Sequence, residues 1–409
     1  MMNPNEIIDI YLTLGILMQR LGTSAYALTQ TFKKFEAKYD LPHAELMLNP
    51  HGLAVSIEVN NTFYSGYRRF EGQDTNIRTV AELEKWLISA NKKTKPTVKK
   101  ILQVGSIIHA PMFFALIACI IQCTATSQFF GGDFATGIAA FFASGISFIC
   151  YSYLGKNQLV LILRDFITAL VAGIVGMMIG YFLGTETPLA LLAASIIWLV
   201  PGLMMMNGFS DFFHAYTLSA LYQFAQAVMI VSALLLGLAP VLILIQPESV
   251  SSAISPYMDW IFSGIASLAC AYRFEARGKL LVISFLLGAL SHGSRAVMIL
   301  NFGLDVTTAT LLAALLVGLS VAVLYTRTSI QLMVTSIATI GVIPLVPGAA
   351  LLKSVFGLLH ISTDVNIGSA DVIETLSMTI TSVTQVAVLA IGGILPTTLL
   401  RWIFKRSPT

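Results

Sequence analysis

Charge is what this sequence has least of. Only 11% of its 409 residues are Asp, Glu, Lys or Arg, while 56% are hydrophobic. Soluble proteins average about 25% charged, so the shortage excludes an ordinary soluble domain and leaves an integral membrane protein. Cysteine is scarce too: Cys119, Cys123, Cys150 and Cys270 all fall in apolar stretches. Cys119 and Cys123 share a helix face, but no His or further Cys completes a ligand pattern, so they read as small hydrophobes. No metal site and no cofactor are expected. A net charge of +3 without a basic tract argues against nucleic acid as a partner. The start, Asn3-Pro4-Asn5-Glu6, lacks a positive region and a cleavable apolar region, so no signal peptide is expected. No phosphate loop, nucleophile elbow or catalytic constellation is present, which argues against an enzyme.

The few charges are unevenly placed. Residues 1–108 hold 13 of the 24 Lys+Arg and 10 of the 21 Asp+Glu. That shift predicts a small cytoplasmic α+β domain over 1–108 and a membrane domain after it. Ile7, Ile8, Tyr11, Leu12, Leu14, Leu17 and Met18 form one apolar helical face. Gly22 breaks the run, and Thr23 or Ser24 can cap a second helix. Val55, Ile57 and Val59 alternate with Ser56, Glu58 and Asn60, as on a half-buried strand after an Asn49-Pro50-His51-Gly52 turn. Thr79 to Asn91 reads as another amphipathic helix. His43 and His51 flank the first strand without an acidic partner and read as loop residues.

Ten apolar spans follow, near 109–128, 132–154, 159–183, 188–208, 215–245, 257–274, 279–300, 304–326, 329–356 and 374–401. Lys92, Lys93, Lys95, Lys99 and Lys100 precede the first, which places that end in the cytoplasm. Alternate loops then carry Lys156 with Arg164, then Arg273, Arg277 and Lys279, then Arg327, then Arg401, Lys405 and Arg406. The intervening loops carry Glu186, Glu248 with Asp259, and Asp364 with Asp371. The chain is therefore expected to be a multi-pass protein of the cell membrane with both termini on the cytoplasmic side. Arg295 and Lys353 depart from the rule, near the outer ends of spans seven and nine.

Two stretches stand out inside the spans. Leu199-Val200-Pro201-Gly202 lies in span four and Leu345-Val346-Pro347-Gly348 in span nine. Proline removes a backbone donor and clashes with the preceding turn, so each pair breaks its helix and frees carbonyls that need a partner. Other cues recur in the same order. Asp165 opens span three and Asp305 opens span eight. Gln226 with Gly237-Leu238-Ala239-Pro240 in span five matches Gln385 with Gly393-Ile394-Leu395-Pro396 in span ten. The spans thus divide as five plus five, 109–245 and 246–409, and an odd number per copy inverts the second. Inverted repeats with paired helix breaks are the design of secondary transporters, with the solute at the repeat interface.

Five residues after Gly202 is Asn207, and five after Gly348 is Lys353. Pro201, Gly202, Asn207, Pro347, Gly348 and Lys353 are therefore candidate solute-site residues, Lys353 holding a carboxylate or else snorkelling to the interface. His292-Gly293-Ser294-Arg295 lies at depth in span seven, where ionisable groups are costly and default to function. Arg295 suits a carboxylate and His292 suits proton coupling, unless the cluster only anchors its helix. Asp165 and Asp305 read as proton or cation sites, or as helix caps. Arg164 reads as a positive-inside anchor.

With these residues placed, the chain resembles the threonine/serine exporter family, some members of which occur as two polypeptides. Residues 1–245 resemble the longer partner through Gly131-Gly132-Asp133-Phe134, Phe141-Phe142-Ala143-Ser144 and Leu199-Val200-Pro201-Gly202 with Asn207 and Asp211. Residues 257–409 resemble the shorter through His292-Gly293-Ser294-Arg295, Gly303-Leu304-Asp305, Leu315-Leu316-Val317-Gly318 and Val342-Ile343-Pro344 before Pro347-Gly348. The resemblance implies export of small hydrophilic metabolites, threonine and serine or, as linked to the split form, dicarboxylates such as succinate. The expectation is a proton-coupled exporter of a small carboxylate-bearing solute. A homo-oligomer, a sensor or enzyme acting through the N-terminal domain, and a passive channel remain as alternatives.

Overall fold

The computed structural model describes residues 2–49, 52–70, 72, 75–89, 95–107, 109–244, 256–327, 334–363 and 368–405. Pro50 and His51, the Lys92–Thr94 run, Glu248, Asp364 and Arg406 lie outside the described residues.

The first helix, α1 (Pro4–Arg20), begins with proline after Asn3, whose side chain accepts the Asn5 N–H at 3.1 Å. Proline at that position sacrifices no helical hydrogen bond. Its apolar face buries Ile7, Ile8, Tyr11, Leu14 and Met18. Gly22, at φ +78°, turns the chain. Ser24 then caps α2 (Ala25–Tyr39) by accepting the Ala27 N–H. Three antiparallel strands follow in the order β1 (Ala44–Asn49), β2 (Gly52–Val59) and β3 (Thr62–Arg69). Leu53, Val55 and Ile57 of β2 are buried, on the face that meets α1. Asn60 and Asn61 both take positive φ, the demand of a two-residue hairpin turn. Two further helices, α3 (Ile77–Ser89) and α4 (Val98–Val104), lead to the membrane part. Tyr11 is fully buried and donates to the Pro42 carbonyl at 3.0 Å. Burial, with the Glu36 charge behind it, pushes its hydroxyl well above the usual phenol range.

The membrane part consists of α5 (Met112–Phe129), α6 (Phe134–Lys156), α7 (Leu161–Leu183), α8 (Pro188–Ile196), α9 (Gly202–Phe213) and α10 (Thr217–Leu242), then α11 (Pro256–Arg273), α12 (Lys279–Phe302), α13 (Val306–Arg327), α14 (Val334–Val342), α15 (Gly348–Thr363) and α16 (Ser369–Lys405). A turn of 3-10 helix extends α8 over Ile197–Leu199, and another extends α14 over Ile343–Leu345. Among the described residues seven helices are long and apolar enough to cross a membrane, or up to nine if each bent pair counts as one span. The sequence predicts ten. The difference is α11, whose 18 residues carry Pro256, Asp259 and Arg273 and are less apolar than the others.

Polarity is inside out, as the bilayer requires. Phe142, Ile174, Phe182, Leu221, Leu236 and Ile380 are exposed, whereas Ala143, Ser144, Ser147, Ala169 and Ala172 are buried. Small residues let helix backbones approach. At two crossings the approach excludes any side chain: a Cβ on Gly237 of α10 would sit 2.4 Å from the Phe166 carbonyl of α7, and one on Gly318 of α13 would sit 2.2 Å from the Gly392 carbonyl of α16. Contacts follow one order in each half. Helix α5 packs on α6, α6 on α7, α7 on α10 and α9 on α10; α11 packs on α12, α12 on α13, α13 on α16 and α15 on α16. Between the halves, α5 meets α11, α9 meets α14, and α8 meets α15.

Candidate functional site

The two Pro-Gly breaks share their main backbone features. Proline forces the preceding residue into extended geometry, and Val200 (φ −62°, ψ 127°) matches Val346 (φ −60°, ψ 126°). In each break the glycine N–H turns back to the valine carbonyl at 2.8 Å, Gly202 to Val200 and Gly348 to Val346. The elements on either side bend by 65° at the first break and 61° at the second. The breaks also seat on one another. A Cβ on Gly202 would lie 3.7 Å from Ile343 and Thr339, and one on Gly348 would lie 3.8 Å from Ile197. Each glycine thus rests on the broken element of the opposite half.

Beside the first break opens a cavity of about 710 Å³. Its membrane wall includes Tyr151, Arg164, Asp165, Trp198, Pro201, Gln226 and Arg273; Gln19, Thr23, Arg69 and Phe70 of the N-terminal domain line the other side. Because the Gly202 N–H turns to Val200, it is lost to the Trp198 carbonyl, its partner in an unbroken helix. Arg273 replaces it: one Nη donates to the Trp198 carbonyl at 2.9 Å and the other to Gln122 Oε1 at 2.8 Å. The Arg164 guanidinium stacks 4.0 Å from the Tyr151 ring centre and donates to the Tyr151 hydroxyl at 2.7 Å. Among the described residues neither arginine has a carboxylate within ion-pair distance, although the Arg164 charge acts on the adjoining Asp165. Asp165 is only 3% exposed and lies in the second turn of α7, past the N-cap residue Val160. No hydrogen bond among the described residues uses its carboxylate.

The lower half of the first break holds the N-terminal domain. Asn207 and Asp211 lie one turn apart on α9. Asn207 Nδ2 donates to the Gly22 carbonyl at 2.7 Å. Asp211, fully buried, accepts the first N–H groups of α2 from Ala25 (3.1 Å) and Tyr26 (3.0 Å), together with Ser219 Oγ (2.7 Å) and Gln223 Nε2 (3.1 Å). A carboxylate at a helix N-terminus is favourable, and here it comes from α9 of the membrane part. The His214 ring stacks on Tyr26 at 3.4 Å. Asn207 is therefore a docking contact, and it does not line the cavity.

The remaining predicted residues fall elsewhere. His292 and Arg295 are brought together with Asp259: His292 Nδ1 lies 2.8 Å from Asp259 Oδ2, and its Nε2 faces an Nη of Arg295. The trio sits between α11 and α12, with the Phe129 ring 4.7 Å from that of His292. Pro347 is buried, whereas Lys353 is exposed on α15. Asp305 is an exposed cap: it accepts the Thr308 N–H at 2.9 Å, and hydrogen bonds from Thr308 hold its carboxyl below the usual range. Of the predicted set, Pro201 and Asp165 line the cavity, with Gly202 at the break beside them. Sequence reasoning missed Arg164 and Arg273 as site residues because each also satisfies the positive-inside rule. It missed Asp211 as a docking residue because its partners lie 185 positions away. Among the described residues no group of three His, Cys, Asp or Glu is placed to hold a metal.

A many-spanned helical body, two interlocked helix breaks and a charged, solute-sized cavity beside one of them define a membrane transport protein. Comparison with known proteins makes the class specific: the chain belongs to the threonine/serine exporter family. Residues 9–245 match the family described as "Putative threonine/serine exporter" and residues 259–399 the one described as "Threonine/Serine exporter, ThrE". The chain is similar to a threonine/serine exporter of Corynebacterium glutamicum, 23% identical over 364 residues, which is 84% of this chain and 71% of the relative. It is also similar to a "Probable succinate transporter subunit" of Klebsiella aerogenes, 25% identical over 174 residues, 42% of this chain and 67% of that subunit. No solved structure matches it. The protein is thus an exporter by family, and a transporter rather than an enzyme.

Proposed function

We propose that the protein exports threonine or serine across the cell membrane by proton-coupled alternating access, with both termini in the cytoplasm. The observation that carries this reading is the pair of breaks of equal geometry, each seated on the other, with a cavity bearing both signs of charge against the first. In this reading residues 1–108 form the cytoplasmic domain, and 109–245 and 246–409 are inverted five-element repeats. The shared contact order of the two halves and the opposed glycines Gly202 and Gly348 support that division. Rocking of one repeat against the other about Pro201-Gly202 and Pro347-Gly348 opens the cavity to one side or the other.

The residues divide by role. Arg164 and Arg273 face the solute at the inner cavity. Arg295 and Lys353 supply positive charge on the exit side. His292, between Asp259 and Arg295, and the cavity's Asp165 are the proton-coupling candidates. Asp305, placed as a cap, ranks below them.

A second reading, a dicarboxylate exporter, is favoured by the similarity to the succinate transporter subunit and by the two arginines, Arg164 and Arg273, on the membrane side of one cavity. Proteoliposomes loaded separately with labelled threonine, serine and succinate, with and without a proton gradient, test both. Gradient-dependent threonine or serine efflux is expected. Succinate efflux alone supports the second reading, and efflux indifferent to the gradient removes proton coupling.

A further inference from the structure

On the membrane side of the cavity, among the described residues, Arg164 and Arg273 have no carboxylate within ion-pair distance, and the buried Asp165 carboxylate has no hydrogen-bond donor. A largely buried carboxylate that accepts no hydrogen bond is costly to keep ionised, so Asp165, at the cavity face beside Arg164, favours a proton or a further cationic partner. Among the described residues, the ionisable groups that line the cavity with it are Tyr151 from α6, Arg164 on its own helix, Tyr222 from α10, Arg273 from α11 and Arg69 from the N-terminal segment. Helix α8, which also packs on α7, contributes none, because Pro188–Ile196 contains no ionisable side chain. Arg164 and Arg273 are each directed by an aromatic face and a neutral acceptor: Tyr151 and its hydroxyl for the first, Trp198 and a backbone carbonyl for the second. Both cations retain donors for an incoming anion.

We propose that Asp165 is an exchange site: its carboxylate holds either a proton or the ammonium group of an amino-acid solute, never both, while Arg164 and Arg273 take the solute's carboxylate. The inference rests on the export reading above and gives it a coupling step. When the ammonium group enters from the cytoplasm, the Asp165 carboxyl gives up its proton to water and accepts an N–H of the solute. When the solute leaves on the far side, a proton from that side replaces it. One carboxylate shared between two cations enforces one-for-one exchange, because each must leave before the other can bind. The same charges discriminate between solutes. A zwitterion matches arginines and aspartate together, whereas a second carboxylate in place of the ammonium would face Asp165 with like charge.

The test is calorimetric titration of the full-length protein with threonine and with 3-hydroxybutyrate, which is threonine without its ammonium group. Titration in two buffers of different ionisation enthalpy counts the protons released. Wild type is expected to release protons on binding threonine, up to about one per solute, and none on binding 3-hydroxybutyrate. Asp165→Asn should weaken threonine about tenfold or more, as loss of a charge-assisted hydrogen bond predicts. It should abolish proton release and leave 3-hydroxybutyrate binding unchanged. Asp165→Glu, which keeps the carboxylate, should retain proton release. If Asp165→Asn weakens both probes equally, or binds threonine with the same proton release, Asp165 is a structural residue and the exchange proposal is overturned alone. If wild type binds neither probe, the export reading and the exchange site fall together.

Discussion

At the first break, the carbonyl that proline releases is held by Arg273, the following half-helix grips the N-terminal domain through Asn207 and Asp211, and a charged cavity lies alongside. At the second, the glycine rests on Phe130 and Ile197, and the cation five residues on, Lys353, is exposed. The valines that precede the two prolines have the same backbone angles within a few degrees. What differs is chemistry: the first half carries polar partners at its break, the second an apolar seat. If the two halves are repeats, as proposed, a shared break geometry with charge on one side fits one half specialised for recognition and the other for movement. If that is right, changes to the shared geometry should cost the two halves equally, and changes to the chemistry should not.

The largest effect is expected where the halves are most alike. Gly237→Ala and Gly318→Ala each place a methyl group against a backbone carbonyl, at 2.4 Å and 2.2 Å. Neither carbonyl can move as a side chain can, so overpacking should cost about 3 kcal/mol in each. Thermal unfolding of the purified variants reads this. Similar losses sustain the equivalence of the α7–α10 and α13–α16 crossings; a loss confined to one would break it.

The next effect belongs to the first half alone. Asp211→Ala removes the acceptor of two backbone and two side-chain donors. Hydrogen bonds to a charged group contribute about 1.5–3 kcal/mol each, and partial rehydration keeps the sum below their total. A net weakening of docking of about 2 kcal/mol is expected. It should appear as faster proteolysis between the N-terminal domain and α5 while the membrane part stays intact. Protease resistance equal to wild type would show that Asp211 does not hold the domain. Lys353→Ala should leave that resistance unchanged.

Much of this contrast was legible in the sequence, and part was not. The apolar face of α1, the alternation in β2 and both breaks follow from local periodicity and proline chemistry, which need no long-range contact. The equality of the breaks was legible because Leu-Val-Pro-Gly occurs twice. Their difference was read from Asn207 and Lys353, at matched positions. In the structure, though, Asn207 serves docking and Lys353 is exposed. The charges that reach the cavity, Arg164 and Arg273, obey the positive-inside rule, so position alone gave them a sufficient explanation. From the sequence Asp259 reads as a loop residue because it begins a span. Its pairing with His292, 33 residues on, depends on how α11 packs against α12, which periodicity does not encode.

Arginine at the first break can be set directly against lysine at the second. Arg273→Gln removes a cation from the cavity wall and weakens the grip on the Trp198 carbonyl. Efflux should fall about tenfold, the equivalent of one charge-assisted hydrogen bond. Lys353→Ala should impair efflux by a smaller factor, about two- to threefold, as expected of an exposed charge acting through water. Unchanged flux in Lys353→Ala removes that residue from the mechanism. A larger loss there than in Arg273→Gln would reverse the comparison and put recognition in the second half.

The smallest effect tests whether the breaks move. A methyl group on Gly202 would meet its nearest neighbours at 3.7 Å, ordinary contact, whereas on Gly348 it would lie 3.3 Å from the Phe130 ring. Alanine also restricts the backbone, which favours a helix by roughly 0.5–1 kcal/mol relative to glycine. Gly202→Ala should therefore be as stable as wild type or slightly more so. Gly348→Ala should be close to neutral, because the tight contact offsets the gain. If the elements swing about these residues during transport, both variants should slow efflux without loss of melting temperature, since the freedom removed is used in the cycle and not in the fold. Efflux at wild-type rates in both would make the breaks fixed corners that shape the cavity, and would shift the moving contacts to the α5–α11 packing between the halves.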